Sequence, residues 1–132
     1  MASTVALDTN AYVAFKRGTK AAVELVACSP TLVLPAIVLG ELRAGFAFGT
    51  RAAQNEAELI RFLGSPRVIV QAVDETVTLA YASLCRRLRR EGRPIPTNDL
   101  WIAACAFAAN AALATYDAHF GAIEGLALVP LQ

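Results

Sequence analysis

The sequence predicts an α/β fold, a parallel sheet of about five strands flanked by helices in a single domain over residues 1–132. Three observations predict it. Short apolar runs recur at residues 5–7, 31–34, 68–70, 112–115 and 126–129. Segments with helical periodicity and recognisable caps alternate with these runs, and strands alternating with helices build parallel sheets with helices on both faces. The first run, Val5-Ala6-Leu7, stops at Asp8-Thr9-Asn10. A buried strand therefore delivers a carboxylate to its C-terminal tip, where open α/β sheets collect ligands and chemistry.

In chain order, a short helix over residues 11–15 follows the first strand, with Asp8 able to cap it, and Lys16, Arg17 and Gly18 end it. A second helical piece spans 21–27 until Ser29 and Pro30 break it. The second strand leads to a helix opened by Pro35, in which Glu41 sits beside an apolar stripe of Leu39, Leu42 and Phe46. Gly45 and Gly49 mark a bend, and residues 51–63 form another helix closed by Gly64, Ser65 and Pro66. After the third strand, Asp74 starts a long amphipathic helix through Leu84 and Leu88 to Glu91 and Gly92. Pro94-Ile95-Pro96 is a loop, Thr97 or Asn98 caps the next helix, and Asp99 lies in its first turn. Asp117 sits just beyond the tip of the fourth strand.

Composition narrows the options. Hydrophobic residues make up 56% of the chain and charged ones 17%, a balance tilted toward burial that also leaves apolar surface for a partner. A formal net charge of +1 means that any nucleic-acid binding must come from a local patch or from metal. Cys28, Cys85 and Cys105 show no CxxC spacing and His119 is remote from them in sequence, so they read as reduced core thiols of a cytoplasmic protein. The N-terminal segment has no basic stretch leading into an apolar secretory core. The most membrane-like stretch, residues 100–113, falls short of the roughly 20 residues of a spanning helix and reads as a buried helix running toward a buried strand.

Asp8, Glu41, Asp99 and Asp117 all fall near strand ends or on helices next to them, so all four can converge on one edge of the sheet. Two helix caps and two solvated acids would account for the same spacing. Convergent acids repel, which raises their pKa values and costs stability unless a cation shares the site. Oxygen-only ligands favour Mg²⁺ or Mn²⁺, and such a centre suits the metal-assisted hydrolysis of a phosphodiester.

Four motifs in order, Asp8-Thr9-Asn10, Glu41-Leu42-Arg43-Ala44-Gly45, Asn98-Asp99-Leu100-Trp101-Ile102-Ala103-Ala104 and Thr115-Tyr116-Asp117-Ala118-His119-Phe120, resemble the PIN-domain family, in particular VapC-type toxins of toxin–antitoxin pairs. The resemblance spans nearly the whole chain. It implies a small α/β nuclease, Mg²⁺-dependent ribonuclease activity, a homodimer, and neutralisation by a small VapB-type antitoxin. By the same resemblance Asp8 and Asp99 are direct metal ligands, and Glu41 and Asp117 complete the acidic site directly or through water. Asn10 and Thr115 match small polar positions that orient the carboxylates by hydrogen bonds, although capping and turn chemistry would also explain them. Some relatives carry an acid where this chain has His119, which reads as a surface or capping residue.

Arg86, Arg87, Arg89, Arg90 and Arg93 form the one basic cluster; on a helix they cannot all share a face. A solvated surface is one reading, and a groove in which two or three of them contact an RNA backbone is the other. Rival folds lack their signatures. A haloacid-dehalogenase-type phosphatase needs Asp-x-Asp where Asn10 holds the third place, a receiver domain needs a late lysine where the only lysines are Lys16 and Lys20, and no glycine-rich phosphate loop follows the first strand. The non-enzymatic alternative is a PIN-like scaffold that only binds RNA or protein. A site with four acids and no metal would gain nothing from their repulsion.

Overall fold

A computed structural model describes residues 3–131; Met1, Ala2 and Gln132, the ends of the expected 1–132 domain, lie outside the described residues. In chain order the elements are β1 (Thr4–Leu7), α1 (Thr9–Lys16), α2 (Lys20–Cys28), β2 (Thr31–Pro35), α3 (Ala36–Phe48), α4 (Ala52–Leu63), β3 (Val68–Gln71), α5 (Glu75–Glu91), α6 (Thr97–Ala108), β4 (Ala112–Thr115), a 3-10 turn (Ala118–Ala122) and β5 (Leu128–Pro130). The five strands form one sheet in the order β3-β2-β1-β4-β5, and every neighbouring pair is parallel. The first three strands build the sheet in one direction from β1, and β4 and β5 build it in the other. The switch in direction falls between β1 and β4, and a crevice opens at the carboxyl ends of such a pair.

The central strands are short and, apart from a terminal threonine in each, apolar, because both of their faces are covered. Ala6, Leu34, Leu113 and Ala114 expose none of their surface. Helix α6 is buried nearly all round, with Ile102 through Ala106 inaccessible, which explains its membrane-like composition. Among the described residues no helix is long and apolar enough to cross a membrane. Asp74 accepts a hydrogen bond from the Val77 amide at 3.0 Å and caps α5, while Gly92, at φ 66°, ends that helix in the left-handed region.

Several local expectations shift. The Gly45 bend is absent: α3 runs unbroken to Phe48, and Gly49 ends it. Its packing against the core through buried Val38 and Leu42 outweighs the modest helix penalty of an internal glycine. Pro35 is the last residue of β2, paired with Gln71, and the helix begins one residue later. The fifth strand starts at Leu128, two residues later than expected, because the preceding chain is turning at Gly125, where φ is 87°. Neither Thr97 nor Asn98 caps α6; Pro96 holds the cap position and makes no side-chain bond. Of the three cysteines, only Cys105 belongs to the core, where burial pushes its thiol up to about 11; Cys85 is half-buried and Cys28 exposed. Cys28 is the last residue of α2, whose buried face is carried by Ala22 and Val26.

Candidate active site

Strand register places the first two acids. Leu7 on β1 is opposite Ala114 on β4, so the next residues, Asp8 and Thr115, emerge together at the carboxyl edge. Both are almost fully buried, at 4% exposure each. Asp8 Oδ1 accepts from the Ala11 amide at 2.8 Å, capping α1, and Oδ2 accepts from the Thr115 hydroxyl. Thr115 Oγ1 in turn accepts from the Asp117 amide at 2.8 Å, and Asp117 Oδ1 accepts from the His119 amide at 2.9 Å. Asp8 and Asp117 are therefore helix caps as well as members of the acid cluster, so the capping reading and the site reading hold together.

The third and fourth acids come from helices. Glu41, on α3, is held by two donors from opposite sides: Thr9 Oγ1 at 2.6 Å and Asn98 Nδ2 at 3.3 Å. These contacts tie the start of α1, the middle of α3 and the start of α6 into one rim. Asp99, half-buried in the first turn of α6, lies near Asp117, and His119 joins them. His119 Nδ1 is 3.0 Å from Asp117 Oδ1 and 3.8 Å from Asp99 Oδ2. Ligand atoms of Asp99, Asp117 and His119 all fall within 4.8 Å of one another, a spacing suited to a single cation. Asp8 and Glu41 stand just outside that tight group.

Electrostatics couple the four acids. Burial pushes the Asp8 carboxyl above its usual value; the Thr115 hydroxyl and Ala11 amide oppose that rise, and the charges of Asp117 and Asp99 add to it. Asp99 is raised first by burial, then by the charges of Asp117 and Glu41, with His119 opposing. The cluster disfavours its own full ionisation, and a bound divalent cation would relieve that. The donors fit such an ion: carboxylate oxygens dominate, which suits a hard cation, and each Asp8 oxygen accepts only one hydrogen bond.

All four predicted acids thus meet at one edge, and Thr115 makes the orienting bond expected of it. Asn10 does not: its side chain is exposed and, among the described residues, makes no hydrogen bond to a carboxylate. As the second residue of α1 it points off the first turn, and Thr9 beside it faces Glu41. Sequence reasoning missed Thr9 and Asn98 as partners of Glu41. Both looked like ordinary cap residues, and only the packing of α3 against α6 reveals the acid between them. His119, read as a surface residue, is exposed but belongs to the cluster; its position two residues after Asp117 was the available signal.

The family model for the PIN domain matches residues 5–126. Ribonuclease VapC4 of Mycobacterium tuberculosis is 33% identical over 97 residues, covering 72% of this chain and 73% of that protein. Ribonuclease VapC1 of Haemophilus influenzae is 38% identical over 86 residues, 65% of this chain. That match spans 63% of the Haemophilus protein's own length. Among solved structures, VapBC2 from Rickettsia felis bound to a DNA fragment from its promoter superposes with a TM-score of 0.83 at 30% identity, covering 96% of this chain and 98% of the other. A buried acid at the β1 tip, three more acids gathered around it, and these likenesses lead to one assignment: the chain belongs to the PIN-domain family, among its VapC-type members.

Proposed function

We propose that this chain is a Mg²⁺-dependent endoribonuclease, the toxin of a toxin–antitoxin pair, hydrolysing RNA phosphodiester bonds at Asp8, Glu41, Asp99 and Asp117. The observation that carries the reading is the meeting of these four acids, two of them with raised pKa values, at the switch point of a VapC-type chain. Asp8 and Asp99 would hold the cation, Mg²⁺ or Mn²⁺, as their hard oxygen donors favour, with Asp117, whose carboxylate groups with Asp99, completing the site directly or through water. When bound, the ion supplies charge stabilisation at the phosphodiester and lowers the pKa of a water.

The chain's own groups do the rest. Thr115 fixes the Asp8 carboxylate, and the Ala11 amide holds its other oxygen. Thr9 and Asn98 hold Glu41 facing the cluster, where its carboxylate can accept a proton from an attacking water. Asp117 completes the negative wall, while Asn10, on the rim, is open to solvent and substrate. Relatives solved as VapBC complexes support a VapB-type antitoxin as partner. A homodimer acting in the cytoplasm belongs to the same reading and is implied by the motif resemblance alone.

The test is cleavage of a mixed pool of structured and single-stranded RNAs by the purified protein with Mg²⁺, with EDTA, and by the Asp8→Asn variant. Cutting that requires both Mg²⁺ and Asp8 is expected. Cutting that persists in EDTA or in Asp8→Asn would refute the assignment, and no cutting under any condition would favour a non-catalytic scaffold.

A further inference from the structure

A cavity of about 930 Å³ opens where α5 gives way to α6, lined among others by Tyr81, Arg86, Arg89, Arg90, Arg93 and Thr97. Arg86, Arg89 and Arg90, at i, i+3 and i+4, share one face of α5, and Arg93 follows just beyond the helix end. Arg87, off that face, donates to the Glu124 carbonyl at 2.9 Å. Gly92, left-handed at φ 66°, ends the helix while Arg93 still lines the cavity. Among the described residues, none of the four arginines makes an ion pair or a side-chain hydrogen bond.

One or two cations in the last turn satisfy the helix dipole, and four gathered on the wall of one cavity repel one another. An external anion resolves that repulsion. Two neighbours fit the same occupant. Thr97, the first residue of α6, lines the cavity, and the cap residue Pro96 gives the first amides of that helix no side-chain acceptor. Tyr81 on the cavity wall is stacked on Trp101, with ring centroids 3.7 Å apart and an interplanar angle of 10°. Cations beside a braced aromatic ring are the pairing by which single-stranded nucleic acids are held.

The cavity and the acid cluster share the first turn of α6. At about 100° per residue, Thr97 and Leu100 occupy one side of the first turn of α6, and Asn98 and Asp99 the other. A chain crossing the end of this helix, a body roughly 10 Å across, would pass from the cavity side, at Thr97, to the acid side, at Asp99.

We propose that this cavity is a subsite for single-stranded RNA flanking the bond to be cut, with Arg86, Arg89, Arg90 and Arg93 contacting phosphates and Tyr81 stacking a base. The inference rests on the ribonuclease reading and adds to it where the strand runs. An RNA strand is favoured over a protein segment because the subsite shares a helical turn with a site for phosphodiester chemistry.

The test measures binding of a fluorescein-labelled single-stranded RNA to cleavage-dead Asp8→Asn protein by anisotropy, with Mg²⁺, across a KCl series. Adding Arg89→Ala and Arg93→Ala is expected to weaken binding about ten-fold or more and to flatten the slope of log K against log salt by about 1.4, roughly 0.7 for each phosphate no longer neutralised. Lysine at the same two positions should restore most of the slope, and Arg61→Ala, on α4, should leave it unchanged. An unchanged slope in the alanine pair would overturn the inference, as would loss of binding only to a co-expressed antitoxin. In the Asp8-intact background the double alanine variant should raise KM with kcat little changed. If the parent cuts RNA and KM is unaltered in the variant, the subsite fails alone; if the parent neither cuts nor binds RNA, the ribonuclease reading fails and the subsite with it.

Discussion

A single hydroxyl, that of Thr115, bridges two acids of the site: it donates to Asp8 Oδ2 and accepts from the Asp117 amide. Asp8 and Thr115 are 107 residues apart in sequence. The bridge therefore reports the pairing of β1 with β4 directly at the point where chemistry is expected. Thr115→Val keeps the shape and removes both bonds, leaving a buried carboxylate short of a donor. A loss of about 1–3 kcal/mol is expected in urea unfolding of the metal-free protein. Mg²⁺ affinity should fall about 10- to 100-fold by calorimetry, with Thr115→Ser retaining most of it.

Asp8→Asn should abolish RNA cleavage and yet raise the melting temperature of the metal-free protein. The neutral amide still accepts from Ala11 and can donate to the Thr115 hydroxyl, while the desolvated charge near Asp117 and Asp99 is gone. Scanning calorimetry in EDTA checks the stability. A variant less stable than the parent would mean that the acids do not repel as placed.

The pH dependence follows from the same burial. The carboxyls of Asp8 and Asp99 are raised above the ordinary 3.8, so the folded chain binds their protons more tightly than the unfolded chain does. The stability they contribute is complete below that ordinary value and is lost as pH climbs through the raised folded values. In EDTA, the excess in melting temperature of Asp8→Asn over the parent should accordingly grow from about pH 4 toward pH 7. Mg²⁺ affinity of the parent should move the opposite way to proton binding, falling as pH drops through the same window.

Glu41 depends on its two donors. Thr9→Val removes the shorter, partly buried bond, and cleavage should fall about ten-fold. Asn98→Ala removes a longer and exposed one, so the loss should be several-fold, with stability changed by less than about 0.5 kcal/mol. Single-turnover cleavage with circular dichroism on each variant separates the effect on the site from any effect on the fold.

Leu113, wholly buried on β4 between β1 and β5, sets the position of Thr115 two residues on. Leu113→Ala should cost about 2–5 kcal/mol of unfolding free energy. A cost under about 1 kcal/mol in denaturant titration would show that the central strands tolerate the cavity by collapsing.

The alternation of strands and helices and most element boundaries are legible in the chain because they depend on local signals, period and caps. Asp74 as the cap of α5 and Gly92 as its end are such cases. Asp8 and Asp117 stand out as carboxylates after apolar runs, whereas Glu41 and Asp99, inside helices, stand out only through the motifs they belong to. Spacing alone also sets a helical face, so the alignment of Arg86, Arg89 and Arg90 is a local property too, while Arg93 joins them beyond the helix end. Other features arose only when the elements packed. The strand order and register brought Asp8 beside Thr115, and the packing of α3 against α6 turned Asn98 from an expected cap into a partner of Glu41. The same placement put His119 against Asp99 and Asp117. Contacts between residues tens of positions apart follow from how whole elements bury their apolar faces, a balance of burial and packing summed over the entire core that no local window of sequence contains.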